Sequence, residues 1–405
     1  MNTRNVVATL LALTLISALA GCGESERTAT VTWWALPDRV GSEDLAKTCT
    51  DIAGGYRIEV RLLPSSLEQR RADVIRRLSS DDDSVDIVTV DSALTAELAA
   101  AKFLAPPPAD LTRAVGVLPS ALAAASYKGR PVAVPWWVDP YLLWYRGAAA
   151  ERAGIDVNKP VSWNRLLAGA DRVRASVQMD DTDGTGLSDW VRGLVAEAGG
   201  TVLQGTGRNP RVDVAGAPGR SAAGVVQFYA ASGLGAGPTP GAAAEFAGSR
   251  GAFLIGRASV RSQPVLAQVA ADMRPLRYPV VNNASAAPMS AAALAVPRSS
   301  DQRQHAFDAV RCLTSANSQQ RLMVNAGVGA ARVNAYADPT VVKAMPFAKE
   351  LLAAAQAGQT PPSSPYWHNA VRAIDATWAP LSGVRTGTTP KRSEAAIVAA
   401  VGGGL

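Results

Sequence analysis

Histidine is nearly missing from this chain: His305 and His368 are the only two in 405 residues. They fall in different segments. A Ser-His-Asp triad or a histidine-based metal site therefore has almost nothing to work with. Cysteine is almost as scarce, with three residues, and aromatics make up only 6%. The net charge of +6 comes from scattered arginines, not from a basic stripe with interleaved rings, which sets nucleic-acid binding aside. Beyond the N-terminal run no segment is long and apolar enough to cross a bilayer. Residues 286–296 are apolar but stop at Pro297.

What is present begins at the N-terminus. Arg4 precedes an apolar run over residues 6–20 that is too short to span a membrane. The run ends in Leu19-Ala20-Gly21-Cys22, which resembles a bacterial lipobox. This predicts a signal peptide over 1–21, acylation of Cys22, and a short polar tether over 22–30. The rest of the protein is expected at the extracytoplasmic face of the cell membrane, held there by lipid. Cys49 and Cys312 remain, in a compartment that permits disulfides, and are expected to bond. Two unrelated buried thiols are the alternative.

The few aromatics are unevenly spent. Trp136, Trp137, Tyr141, Trp144 and Tyr145 crowd into residues 134–146, with Asp139 among them. A ring can cover the apolar face of a pyranose while a carboxylate accepts hydrogen bonds from its hydroxyls. A core strand rich in rings reads equally well.

The length suits two domains. Strands are predicted over 28–36, 57–63 and 86–90, and helices over 42–52, 67–78 and 92–101. Such alternation implies an α/β architecture with a largely parallel sheet. Ser162 is an N-cap for a helix over 165–175, and Gly199-Gly200 stops another over 187–198. Residues 251–255 and 291–296 read as strands. Segments 302–314, 318–324, 339–357, 364–378 and 393–401 read as helices.

Several apparent motifs fail on inspection. Gly233-Leu234-Gly235-Ala236-Gly237 mimics a phosphate loop, but Pro238 and Pro240 prevent a helix from starting there. Asp180-Asp181-Thr182-Asp183-Gly184 imitates a calcium loop, yet Arg192 stands where the bidentate Glu belongs, and a solvated turn is expected. Asp81-Asp82-Asp83 reads as a charged turn, and His305 as a surface residue. No metal or cofactor site emerges.

Separated segments then agree on one family. Residues 85–91 with Thr95-Ala96-Glu97-Leu98, the run Tyr127-Lys128-Gly129-Arg130-Pro131, Leu142-Leu143-Trp144-Tyr145-Arg146, Ser162-Trp163-Asn164, the segment around Cys312 and Ser364-Pro365-Tyr366 are similar, in order and spacing, to the carbohydrate-binding lipoproteins of ABC importers. The match is to their maltose/trehalose-binding branch. This resemblance implies a type II periplasmic-binding-protein-like fold of two α/β lobes joined by hinge strands. Lobe 1 would be 31–137 plus 288–340, and lobe 2 would be 138–287 plus 341–405. It implies a non-enzymatic monomer whose partners are a carbohydrate and ABC permease subunits. The implied ligand contacts are Trp33, Trp34, Asp38, Asp91, Trp136, Trp137, Asp139, Arg257, Arg332 and Trp367. Trp144 and Trp163 are assigned to core. Pro135 marks the expected hinge crossing. Where trehalose binders carry an Asn-Trp pair, this chain has Arg257-Ala258. Arg39 and Arg257 could instead pair a phosphate or carboxylate. A glycerophosphodiester-binding lipoprotein and a cell-wall glycan hydrolase with two carboxylates remain as alternative readings.

Overall fold

A computed structural model describes residues 28–37, 41–113, 115–281 and 287–403. The signal peptide, Cys22, Asp38 and Arg39 lie outside the described residues. Residues Ala29 and Thr30, expected in the tether, already belong to the first strand.

The strands that organise the molecule are β1 (Ala29–Ala35), β2 (Tyr56–Leu62), β3 (Ile87–Asp91), β4 (Val134–Arg146), β5 (Ser176–Asp180), β6 (Gly251–Arg257), β7 (Met273–Arg277) and β8 (Met289–Ala295). They form one curled sheet in the order β2-β1-β3-β8-β4-β6-β5, ending on the short pairing Pro238–Thr239. The sheet is mixed. β1 runs parallel to β2 and β3, whereas β8 is antiparallel to both β3 and β4.

β4 joins the two lobes. Its first half, Val134 to Pro140, pairs with β8, and its second half, Tyr141 to Arg146, pairs with β6 and β7. The change of partner falls between Pro140 and Tyr141, beyond the expected crossing at Pro135. Pro135 sits inside the strand beside a register shift that leaves Trp136 without a partner in β8. A bulge accommodates a residue that has no N–H to donate.

Period-two alternation explains the first lobe. Val31, Trp33 and Ala35 of β1 point into a core with Leu45, Trp136, Val310 and Leu322. On the opposite face Val88 and Val90 pack against Val74 and Leu78 of helix α1 (Leu67–Ser79). β3 is buried on both faces, so it reads as a β-branched run rather than an alternating one. Cys49 and Cys312 form a disulfide with Cα atoms 5.8 Å apart, clamping two helices of this lobe. The second lobe closes over Leu143, Trp163, Leu166, Trp190, Phe253 and Trp378. Trp144 and Trp163 are buried, as expected.

Some elements differ from expectation. The segment 339–357 is two helices, Pro339–Ala344 and Ala348–Ala357, because Pro346 disfavours a helical residue before it. The helix Ala217–Ser232 and strands β5 and β7 carried no clear periodic signal. No described helix is long and apolar enough to cross a membrane.

Candidate binding cleft

Between the lobes lies a cleft of about 440 Å³. Its first-lobe wall is Leu36 and Pro37 after β1, Arg70 and Arg71 of α1, and the start of helix α2 (Ser92–Ala100). Its second-lobe wall combines Asp183, Thr185 and the start of helix α3 (Gly186–Glu197) with Trp367, His368 and Val371 of helix α4 (Trp367–Trp378). Trp137, Asp139 and Ser290 lie between these walls on the central strands. The cleft thus opens beyond the carboxyl ends of β1 and β3, where open α/β sheets place ligands.

Asp91 ends β3 and caps α2 in one step. Its Oδ1 accepts from the Leu94 N–H at 2.8 Å. A side chain held by its own cap presents a fixed carboxylate to the cleft. Beside it, Arg71 and Glu97 are bonded to each other, with Arg71 Nε donating to Glu97 Oε2 at 2.7 Å.

The second-lobe wall is built around Arg257, which is only 4% exposed. Nη2 donates to Thr185 Oγ1 at 2.7 Å, Asp183 Oδ1 at 3.0 Å and Asp189 Oδ2 at 3.2 Å. Nε donates to Ser290 Oγ at 2.9 Å, and Asp180 lies 3.9 Å from Nη1. The guanidinium also sits 5.0 Å from the Tyr141 ring centroid. Burial alone would lower the Arg257 pKa, but Asp183, Tyr141, Asp189 and Asp180 outweigh it and hold it well above its ordinary value. Burial likewise pushes Asp183 up, yet Arg257 and Thr185 bring it below the usual carboxylate range. Asp181, held to the Gly186 N–H at 2.7 Å, is raised by burial and by Asp183. Burial, with Asp181 and Asp189, pushes Asp375 up to about 6.

This arrangement corrects two expectations. The Asp180–Gly184 stretch is not a solvated turn: Asp180 is 2% exposed and Asp183 grips Arg257. Arg257 does line the cleft, but its charge is already met by three carboxylates, which leaves it a poor partner for an anionic ligand.

Of the other expected contacts, Asp91, Trp137, Asp139 and Trp367 are brought together at the cleft. Asp139 is 4% exposed and accepts from the Ser259 N–H at 3.0 Å, so it also fixes the loop after β6. Four do not line the cleft. Trp33 and Trp136 pack edge to face in the first-lobe core, centroids 5.2 Å apart, and Trp33 Nε1 donates to Thr89 Oγ1 at 2.9 Å. Both point to the face covered by the disulfide-linked helices because strand alternation puts them there. Trp34 takes the other face of β1, under the Arg77 guanidinium at 3.8 Å. Arg332 turns away, its Nε donating to the Thr314 carbonyl at 3.0 Å. The residues that sequence reasoning missed are Arg70, Arg71, Asp183, Asp189 and His368. Asp183 belongs to the very run dismissed as a turn, and Asp189 lies in the first turn of the helix that follows it. His305 is half-buried against Tyr56, ring centroids 5.6 Å apart.

Residues 45–320 match the bacterial extracellular solute-binding protein family. The chain belongs to that family. Its fold is also that of solved binding proteins. A maltose-bound MalE3 of T. maritima shares 19% identity at a TM-score of 0.76, covering 91% of this chain and 99% of that one. The GacH receptor of Streptomyces glaucescens, solved unliganded and with acarbose, shares 19% identity at 0.76, covering 92% and 97%. UgpB from Mycobacterium tuberculosis in complex with glycerophosphocholine shares 17% identity at 0.75, covering 91% and 97%. These are binding proteins, and at such identity they establish the two-lobe fold. Across the cleft of this family member, His368 Nε2 of α4 stands 3.0 Å from Glu68 Oε1 of α1. One lobe therefore touches the other at the cleft rim.

Proposed function

We propose that this protein is the lipid-anchored substrate-binding component of a carbohydrate ABC importer. Its ligand is an uncharged disaccharide or related glycan, captured as lobe 1 (31–137 plus 288–340) and lobe 2 (138–287 plus 341–405) close. The observation that carries the reading is the chemistry of the cleft wall. Trp137 and Trp367 supply rings, while Asp91, Asp183 and Asp189 supply hydrogen-bond acceptors. The charge in the wall is compensated internally around Arg257. A polyhydroxylated molecule gives such acceptors what they need, whereas an added anion would face them unfavourably. A cleft of about 440 Å³ is within the range of small-ligand sites.

Closure follows from differential affinity: a sugar touching both walls stabilises the closed form by contacts the open form lacks. Anchoring through Cys22 rests on the Leu19-Ala20-Gly21-Cys22 run.

A second reading, capture of a glycerophosphodiester, is favoured by Arg70. This cleft guanidinium has no carboxylate partner among the described residues. Calorimetric titration against neutral disaccharides and glycerophosphodiesters separates the two. We expect saturable binding of a disaccharide. Tight phosphodiester binding with no response to any sugar would replace the first reading by the second. Release of product from labelled oligosaccharide would refute a purely binding role.

A further inference from the structure

The first lobe carries a second groove, of about 410 Å³, that the cleft does not use. Lys102, Lys128, Arg130 and Arg298 line it, together with Tyr127. No carboxylate lines it, and none of the four cations has an acid within ion-pair distance among the described residues. They come from different segments: the end of α2, a hairpin and the loop after β8. Converging like charges are mutually repulsive, so such a groove fits an anionic occupant.

The backbone supports a role for two of these lysines. Lys102 follows α2 at φ 62°, with its N–H and that of Phe103 closing the helix on the Ala99 and Leu98 carbonyls. Lys128 takes φ 49° in the tight turn Lys128-Gly129 between the paired residues Tyr127 and Arg130. Both are left-handed positions that Gly or Asn occupies more readily. A lysine at each places a cation on the groove at some conformational expense.

Topology gives the groove's direction. β1 runs toward the cleft, so Ala29 lies at the cleft-distal end of the lobe. β8 is antiparallel to β3, with Ala295 opposite Val88, so Arg298 reaches that same end. Leu104 bridges to Pro297 there, showing that the chain after α2 has returned to it. The groove thus lies on the side of the first lobe away from the cleft, the side from which β1 starts.

We infer that this groove is a docking surface for the phosphate headgroups of anionic phospholipids, holding the first lobe against the bilayer to which the N-terminus is tethered. The inference rests on the lipid-anchor reading for its orientation, and on the groove's charge for its chemistry. A tether of a few residues keeps the body within reach of the surface, where each nearby Lys or Arg adds roughly fivefold to membrane partitioning.

Every described element lies within 28–403, so a chain beginning at Gly23 keeps the folded body without any acyl group. That chain should co-sediment with vesicles containing phosphatidylglycerol and not with pure phosphatidylcholine, and raised salt should release it. The double variant Lys102→Asn with Lys128→Asn should partition roughly 30-fold less, from two lost cations. Its melting temperature should not fall, because Asn accepts the left-handed backbone. Equal partitioning of variant and parent would overturn the inference and leave the groove to an acidic protein partner. Loss of inorganic phosphate binding without any change on vesicles would also overturn it, in favour of a soluble anion. The mass of the full chain extracted from membranes tests acylation at Cys22 separately, so failure of the anchor and failure of the groove are distinguishable.

Discussion

Replacing Arg257 by Leu probes the reasoning about the cleft most directly. The guanidinium is 4% exposed and makes ion pairs with Asp180, Asp183 and Asp189. Removing one partner of a buried pair leaves uncompensated charge and costs about 3–5 kcal/mol. With an unfolding entropy of roughly 0.8 kcal/mol per kelvin for a chain this size, about 4 kcal/mol lowers the melting temperature by about 5 °C. The pH dependence gives the sharper sign. In the parent, Arg257 and Thr185 keep the Asp183 pKa depressed against burial. Its stabilisation is present above the unfolded value of about 3.9 and is lost as pH falls through the lower folded value. In the variant, burial is opposed only by the Thr185 hydrogen bonds, so that pKa rises and the aspartates are penalised when ionised. The gap between parent and variant should therefore be largest near pH 7.5 and shrink toward pH 4.5, read by thermal melts across that range. If the variant melts like the parent at pH 7.5, or the gap ignores pH, the electrostatic account fails. If instead stability holds while binding of a phosphodiester is abolished, Arg257 serves a ligand rather than the wall.

Asp91→Asn keeps an N-cap of equal quality, whereas Asp91→Ala loses it. Calorimetry should show weakened sugar binding in both, with only the alanine variant losing about 1 kcal/mol of stability; unchanged binding in both would remove Asp91 from the site. Asp375, raised to about 6, carries a penalty that is absent below about pH 3.9 and complete above its folded pKa. Asp375→Asn should thus stabilise the protein at pH 7.5 by about 2 kcal/mol, allowing for partial exposure, and the gain should fade toward pH 4 in the same melts. Loss of the Cys49–Cys312 bond, which spans 263 residues of sequence, should cost up to about 5 kcal/mol by the chain-entropy argument, seen as a lower denaturation midpoint for the paired serine variant.

Asp91 was legible because a carboxylate at the end of a β-branched run, before a helix, has both a cap to make and a strand end to occupy. Trp33 and Trp34 were not separable in sequence, since neither face of a half-covered β1 announces which layer of helix it will meet. The crossing strand was recognised, but its change of partner was not at the proline, because Pro135 is absorbed by a bulge opposite Ala292 and Ala293. The Asp180–Gly184 run misled most. Acids beside Gly look solvated in sequence, and only the return of β6 alongside β5 brings Arg257 to them.

What the sequence determined by itself was local. The alternation of β-strands with helices, the scarcity of histidine and the cysteine pair available for a disulfide all follow from residue type and spacing. What the tertiary structure decided was which charges meet. Arg257 is 74 residues from Asp183, 68 from Asp189 and 33 from Ser290, and no periodicity links them. Their pairing exists because strands far apart in sequence end at one cleft. Coulombic compensation depends on distance through space and on burial, and neither is written along the chain.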